Sequence, residues 1–537
     1  MLAQTGVRAA ISSIIGKQAD RRLLDALAAP KVEPFDFSLD AEGKPRKELW
    51  LDYVADLGDG WDSTYAVAQT VSRPTLTLRD ETGAAYDTLG GEVLVFGGDE
   101  VYPTASVKEY QARTLQPWSS AMRGQRPPPH LFAIPGNHDW YDGLVSFIRL
   151  FCQGRNPDGW QTHQRRSYFA VKLPQGWWLL GTDMQLESDL DQPQVTYFQE
   201  IAKRIRAEDR VILCLAEPAW LMAQVRPPDS RAYLENNLTF LEDEVLGKKI
   251  SVFLAGDLHH YRRHANDEGR QKIIAGGGGA FLHPTHVPRK EVALPDGFTA
   301  RKCFPSTQES RRLCWRNLGL AVSSPRFGVL TGLLYVLLAW ALSVNIGTAS
   351  VPKALALVVG TALASPGIVL ISALVILGLI AFADARFGRW RWVVGVLHGV
   401  VHLVAAFLIA WGVAHLMGSA LGLSFRNPVR ELLAAVLIFA GGFVAGPTIM
   451  GLYLLVSLNG FGTHANEAFS SLSIPDWKNF LRLHITPDGH LWLFPIGIRR
   501  VPRAWKPGET AREPEWVADP KDTRATPPTL IEPPIVV

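Results

Sequence analysis

Cysteine is scarce. The 537 residues contain four, Cys152, Cys214, Cys303 and Cys314, and none of their spacings is that of a metal finger. A disulfide scaffold is therefore excluded, and a reducing, cytosolic location is expected for the soluble part of the chain. An excess of charge is missing as well: 54 Lys and Arg against 51 Asp and Glu leave a formal net charge of +3, which argues against a nucleic-acid partner. The N-terminus, MLAQTGVRAAISSIIGKQADRR, has no apolar core followed by a cleavage site, so no secretory signal is expected there. No internal repeat is visible. With 47% hydrophobic and 20% charged residues, the composition also excludes collagen-like and disordered chains.

The most informative absence is local. Residues 327–458 hold eight Asp, Glu, Lys or Arg in 132 positions, whereas the other 405 residues hold 97. A soluble protein is thus joined to a membrane protein. The uncharged runs 327–352, 354–383, 392–425 and 432–466 each exceed the roughly 20 residues that cross a bilayer core. They predict about four spans, near 328–346, 366–383, 393–415 and 433–456. The second run contains Pro366 and leaves room for a re-entrant or interfacial segment over 354–364, or for a fifth span. A basic connector, with Arg301, Lys302, Arg311, Arg312, Arg316 and Arg326 against Glu309, precedes the first span, and Arg386, Arg389 and Arg391 follow the second. These positive charges place the soluble domain and the C-terminus on the cytoplasmic side of an inner or plasma membrane. Arg426 and Arg430 fall on the other side and count against that orientation.

Upstream of the connector, residues 8–30 read as an amphipathic helix that stops at Pro30. From about 48 to 280, short apolar runs end repeatedly in polar or glycine-rich turns: LWLDYVAD, EVLVFGGD, HLFAIPGNHD, RVILCLAEP, ISVFLAGDLHH and KIIAGGGG. Such runs are buried strands, and with the helical stretches between them they define an α/β layered domain. Downstream of the spans, NFLRLHITPDGHLWLFPIGI reads as a C-terminal β-hairpin around a Pro-Asp-Gly turn, expected to dock on the α/β domain. The Pro-rich, charged end is expected to be disordered. The expected layout is therefore a lead-in over 1–47, a catalytic domain over 48–300, a connector over 301–326, a membrane region over 327–458, an interfacial segment and hairpin over 459–502, and a tail over 503–537.

Five strand ends carry groups able to bind metal: Asp56, Asp99, Asn137 with His138, Glu217, and Asp257 with His259. Strand C-termini of a layered α/β domain converge on one edge, where ligands usually bind. Each motif alone is weak, because GGDE is an ordinary strand-to-helix turn with Asp99 as an N-cap and GDLHHY reads equally as a tight turn. The series in this order is what carries the case.

In that order the segments VADLGDG, FGGDEVYP, PGNHDWYDG, LCLAEPAW and AGDLHHYRR resemble the calcineurin-like metallophosphoesterase superfamily, with GGDEVYP and GDLHHYRR most like its purple acid phosphatase branch. The resemblance covers about 50–290 and implies a four-layer αββα sandwich that uses two metals to hydrolyse a phosphate ester. It implies Asp56, Asp99, Asn137, Asp257 and His259 as metal ligands, with Asp99 as the bridge. His138, beside Asn137, is expected to protonate the leaving oxygen or to stabilise charge on the phosphoryl group, with Asp139 as its orienting partner. Three family histidines are absent: their places hold Gly58, Ala216 and Asp257. Asp59, Glu217, His283 and His286 stand near enough in sequence to compensate. Carboxylates in place of imidazoles harden the site and favour Mn²⁺, Fe or Mg²⁺ over Zn²⁺.

His398, His402 and His415 lie on the third expected span, the first two at i, i+4. With no companion acid or cysteine in the spans, they are expected to be neutral and bonded to neighbouring helices, not metal ligands. His464 and Glu467, just beyond the last span, are expected to face the soluble domain. The expected activity is that of a membrane-anchored phosphatase or phosphodiesterase acting on a phosphate ester such as a phospholipid, lipid-linked phosphate or nucleotide. The rival is a degenerate, non-catalytic domain that binds a metal or phosphorylated ligand as a sensor or assembly factor.

Overall fold

The structure is a computed structural model that describes residues 32–125, 127–154, 160–184, 190–225, 236–287, 294–342, 346, 349–424 and 427–537. The helix expected over 8–30 lies outside the described residues. The chain divides into two compact units, one made of Met1–Thr307 with Ile474–Val537, the other of Gln308–Ser473.

The first unit is built on β1 (Phe35–Asp36), β2 (Leu49–Val54), β3 (Thr75–Arg79), β4 (Ala85–Leu89), β5 (Val93–Phe96), β6 (His130–Ala133), β7 (Gln161–Thr162), β8 (Phe169–Lys172), β9 (Trp177–Gly181), β10 (Arg210–Leu215), β11 (Ile250–Ala255), β12 (Tyr261–Ala265), β13 (Gln271–Ala275) and β14 (Thr299–Phe304). After the helical unit come β15 (Lys478–Ile485), β16 (Leu491–Ile498), β17 (Trp505–Pro507), β18 (Trp516–Ala518), β19 (Thr529–Leu530) and β20 (Ile535–Val536). One sheet runs β1-β8-β9-β10-β11-β13-β12-β14, the other β19-β16-β15-β2-β5-β6-β7. Within them β2, β5 and β6 are parallel, as are β9, β10, β11 and β13, so the chemistry-bearing turns leave each sheet at one edge.

The alternation of side chains sets the layers. Leu49, Leu51 and Tyr53 of β2 and Val93 and Val95 of β5 share a buried cluster with Leu179, Ile212, Cys214, Val252 and Leu254 of the other sheet, so the sheets pack face to face. Residues of opposite parity, Val54, Leu94 and Phe96, pack outward against Tyr65 and Val71 of α1 (Trp61–Ser72) and Trp118 of α2 (Gln116–Met122). On the far face, Leu180, Val211, Leu213 and Phe253 pack against Phe198 and Ile201 of α3 (Gln192–Ala202) and Trp220 of α4 (Ala219–Val225). The result is four layers, helix, sheet, sheet and helix.

β15 pairs antiparallel with β16 on one side and with β2 on the other. A fully buried ion pair marks the second seam: Arg482 Nε donates to Asp52 Oδ1 at 2.7 Å, and its other nitrogens reach Thr88 Oγ1 and the Val71 carbonyl. The segment 503–537, expected to be disordered, is instead built into the fold. β17 pairs with β18, while β19 and β20 add to the open edge of β16. Leu530, Ile531 and Ile535 are buried, and Glu532 accepts from Tyr261 Oη at 2.7 Å and from Arg263 Nη2 at 2.6 Å. A few apolar side chains and one anchored carboxylate outweigh the proline-rich composition.

The second unit is helical: α5 (Pro325–Leu342), α6 (Val351–Ala364), α7 (Pro366–Phe382), α8 (Arg391–His415) and α9 (Pro428–Val456). The continuous helical stretches Arg386–Ala420 and Pro428–Phe461 are long and apolar enough to cross a membrane. Two further helix pairs pass only together: Thr307–Ser323 with Pro325–Ala341, bent by 60°, and Val351–Ala364 with Pro366–Phe382, bent by 101° at Ser365 and Pro366. Glycines let α5 and α9 approach closely; a β-carbon on Gly446 would sit 2.4 Å from Thr331 Cβ, and Thr331 Oγ1 donates to the Gly442 carbonyl at 2.9 Å. His402 Nδ1 meets the Tyr335 hydroxyl at 3.0 Å, and the His398 ring stacks on Tyr453. His464 is buried within this unit, bonded to the Tyr453 hydroxyl at 2.8 Å and to the backbone of Asp384.

Candidate active site

Asp56, Asp99 and Asp257 follow β2, β5 and β11, and all three adopt positive φ: 58°, 55° and 66°. Left-handed backbone costs an L-residue energy and is rare outside turns, so three such aspartates at strand ends mark a built site. The turns interlock. The Asp257 N–H donates to Asp56 Oδ1 at 3.0 Å, the Asp56 N–H to the Gly98 carbonyl at 2.9 Å, and the His138 N–H to Asp99 Oδ1 at 2.9 Å. Gly136 has to be glycine, since a β-carbon there would lie 2.1 Å from Asp99 Oδ1.

At the centre stands a residue that the motif reading passed over, Tyr102. Its hydroxyl lies 2.9 Å from Asp99 Oδ2, 3.2 Å from Asp56 Oδ1 and 3.0 Å from His259 Nε2. His259 presents Nε2 because its Nδ1 is bonded to the Phe281 carbonyl at 2.8 Å, and His283 stacks on the ring at 3.9 Å. All four side chains are buried. Burial first, and then the neighbouring charges of Asp99 and Asp257, push the Asp56 carboxyl well above the usual range. Burial likewise raises Asp99 and holds the His259 imidazole well below its ordinary value. The signal for Tyr102 was its place three residues after Asp99 in GGDEVYP, a phenol among carboxylates and imidazoles.

His138 lies half-buried against Tyr102 and Tyr141, with ring centroids 4.3 and 4.9 Å away. Its Nδ1 is 2.7 Å from the Pro103 carbonyl, which makes that nitrogen the donor and leaves Nε2 as the exchanging atom. The expectation that Asp139 orients this ring is corrected, because the Pro103 carbonyl does so. Asp139 is fully buried and instead accepts the N–H groups of Gly136, Asp99 and Glu100 and the Tyr110 hydroxyl. It pins the loops that carry Asp99 and His138 together. Glu100 beside it is pushed well above the usual carboxyl range by burial and then by the Asp139 charge. Asn137 donates from Nδ2 to the Tyr141 hydroxyl at 2.9 Å.

The departures from the family pattern are built in. Gly58 has φ 71°, and a β-carbon on it would meet the Glu100 carbonyl at 2.2 Å, so the turn admits no imidazole. Ala216 is buried, with its methyl against Gly98. Of the nearby residues weighed as substitutes, Asp59 Oδ2 accepts the Phe281 N–H, His283 lies flat on His259, and Glu217 and His286 are buried.

Among the described residues no group of three or more His, Cys, Asp or Glu side chains by itself forms a metal-holding cluster. The donors that converge do so around a phenol. Asp56 Oδ2 is a buried carboxylate oxygen with no hydrogen-bond partner, an arrangement that burial alone makes costly and that a cation relieves. Two carboxylates, a phenol and an imidazole fit one hard or borderline cation, which would replace the phenolic proton as the charge these donors share. The Asp257 backbone N–H joins this group through Asp56 Oδ1.

No family model matches the sequence, and no curated protein does. Several solved structures are similar to the chain. GAP50, the anchor in the inner membrane complex of Plasmodium, is 10% identical over 49% of this chain and 86% of its own, with a TM-score of 0.34. Purple acid phosphatase PPD1 from yellow lupin (Lupinus luteus) seeds is 12% identical over 47% of this chain and 48% of its own, with a TM-score of 0.32. A dimetal phosphatase from Danio rerio is 11% identical over 43% of this chain and 88% of its own, with a TM-score of 0.26.

Proposed function

We propose that the chain is a membrane-anchored, metal-dependent phosphoesterase that hydrolyses a phosphate mono- or diester. The observation that carries this reading is the convergence of Asp56, Asp99 and His259 on the Tyr102 hydroxyl, with Asp56 Oδ2 left unsatisfied beside them. Asp56, Asp99, Tyr102 and His259 would hold one divalent cation, and Asn137 and Asp257 would contribute to a second shared through Asp99. Bound there, such cations supply Lewis acidity toward the phosphoryl oxygens and acidify water. His138 delivers its Nε2 proton to the departing oxygen, with the ring held by the Pro103 carbonyl. Asp139 and Glu100 keep the loops of Asp99 and His138 in register.

The anchor consists of four spans, with the catalytic unit on the cytoplasmic side, where the connector arginines attract anionic headgroups. A phospholipid, a lipid-linked phosphate or a nucleotide held at the surface is the favoured substrate. The test is hydrolysis of an aryl phosphate ester across a panel of Mn²⁺, Mg²⁺, Fe²⁺ and Zn²⁺ by detergent-solubilised enzyme. Asp99→Asn is expected to abolish activity, and His138→Gln to lower kcat by roughly 10²–10⁴-fold with metal still bound. Wild-type rates in both variants would remove the site assignment.

One observation favours a second reading, a non-catalytic domain that binds a single metal or phosphorylated ligand as a sensor or assembly factor: Gly58 is packed so that it cannot carry an imidazole without rearrangement, and buried Ala216 offers no ligand. Two metals per chain by elemental analysis favour hydrolysis; one metal with no turnover favours the sensor.

A further inference from the structure

The helical unit has a partly open cleft of about 800 Å³, bounded by all five of its long helices. Its wall is apolar over most of its extent. On α8 it is lined from Val400 to Ala414, a rise of about 21 Å at 1.5 Å per residue, which exceeds the roughly 15 Å depth of one leaflet's hydrocarbon. Charge enters the lining at one place, the first turn of α9, where Arg430 and Glu431 both contribute. Arg430 is 8% exposed, and its Nη1 donates to the Leu423 carbonyl at 2.9 Å, which holds the guanidinium in position. Glu431 beside it is exposed.

A long apolar cleft with a cation and an anion on successive residues at one end is complementary to one class of ligand: an acyl chain whose headgroup carries a phosphate next to an ammonium. We propose that a zwitterionic phospholipid with a primary amine headgroup occupies this cleft, its chain along α8, its phosphate on Arg430 and its ammonium on Glu431. A guanidinium matches phosphate geometry, and the apolar wall accepts only hydrocarbon. This rests on the membrane reading above.

The full chain is purified from membranes in mild detergent and its bound lipid measured by native mass spectrometry. About one phosphatidylethanolamine per wild-type chain is expected, falling at least tenfold in Arg430→Gln and in Ala406→Trp, which fills the cleft. A second measurement needs no variant: delipidated wild type is expected to melt higher in mixed micelles containing phosphatidylethanolamine than in those containing phosphatidylglycerol with the same chains. Equal retention by the variants, or equal melting in the two lipids, overturns the proposal. Release of the chain from membranes by alkaline carbonate removes the membrane reading and this proposal together, whereas a carbonate-resistant chain that carries no amine-headgroup lipid removes this proposal alone.

Discussion

The residue whose ionisation is most telling outside the cluster around Tyr102 is Lys478, fully buried on β15 with its Nζ bonded to the Ala280 carbonyl. Burial lowers its pKa from the ordinary 10.5 to about 8, against the pull of Asp59, Asp476 and Asp56. Between pH 8 and 10.5 the unfolded chain therefore binds more protons than the folded one, and stability rises with pH through that window. Relative to Lys478→Met, the wild type should gain on the order of 3 kcal/mol between pH 7.5 and 10.5, read as a shift in melting temperature. Tyr102 gives a second expectation: Tyr102→Phe removes the shared hydroxyl and should weaken metal binding in calorimetry, while Tyr141→Phe, at a residue whose hydroxyl accepts from Asn137 and whose ring packs on His138, should weaken it less. The acids and imidazoles brought together here were legible because each closes an apolar run. Tyr102 was not, since a phenol reads as core until its hydroxyl is seen. The role of Asp139 was misread because adjacency in GNHD suggests contact with His138, whereas the turn sends the carboxylate back to the Gly136 and Asp99 amides.

At the scale of elements, β15 is held by the buried Arg482–Asp52 pair. Removing one partner leaves an uncompensated buried charge, so Asp52→Ala should cost about 3–5 kcal/mol, read as a lower melting temperature, while the exposed pair Lys203–Glu200 should be nearly silent. Truncation before Thr529 strips β19 and β20 from β16 and removes the Glu532 partner of Arg263 and Tyr261; a soluble unit prone to aggregate is the expected result, measured by light scattering. The central strands were readable from their apolar runs. The two- and three-residue strands of the tail were not, because pairing so short leaves no periodicity, and the prolines around Thr529–Val537 point the other way. The bend before Pro366 was readable for the opposite reason: a proline disfavours the helical conformation of the residue before it, and Ser365 is extended, although Pro447 sits inside α9 without ending it.

At the scale of the whole molecule, a charge-poor helical stretch carries the membrane reading. Single cysteines introduced at the exposed positions Glu81, Asp488 and Gly422 test it against a background in which the native Cys152, Cys214, Cys303 and Cys314 are buried. In sealed vesicles a membrane-impermeant maleimide should label the first two from the cytoplasmic face and Gly422 only from the other.

The pairing of β15 with β2 constrains that experiment further. Two strands that share a ladder cannot lie in different compartments, so a polypeptide that entered a bilayer after Thr307 would have to return to the compartment it left. Its traverses would be even in number. If the stretches Arg386–Ala420 and Pro428–Phe461, long and apolar enough to cross, make two, the two bent helix pairs either both cross or both stay on the surface, because the backbone hydrogen bonds between β15 and β2 forbid an odd excursion.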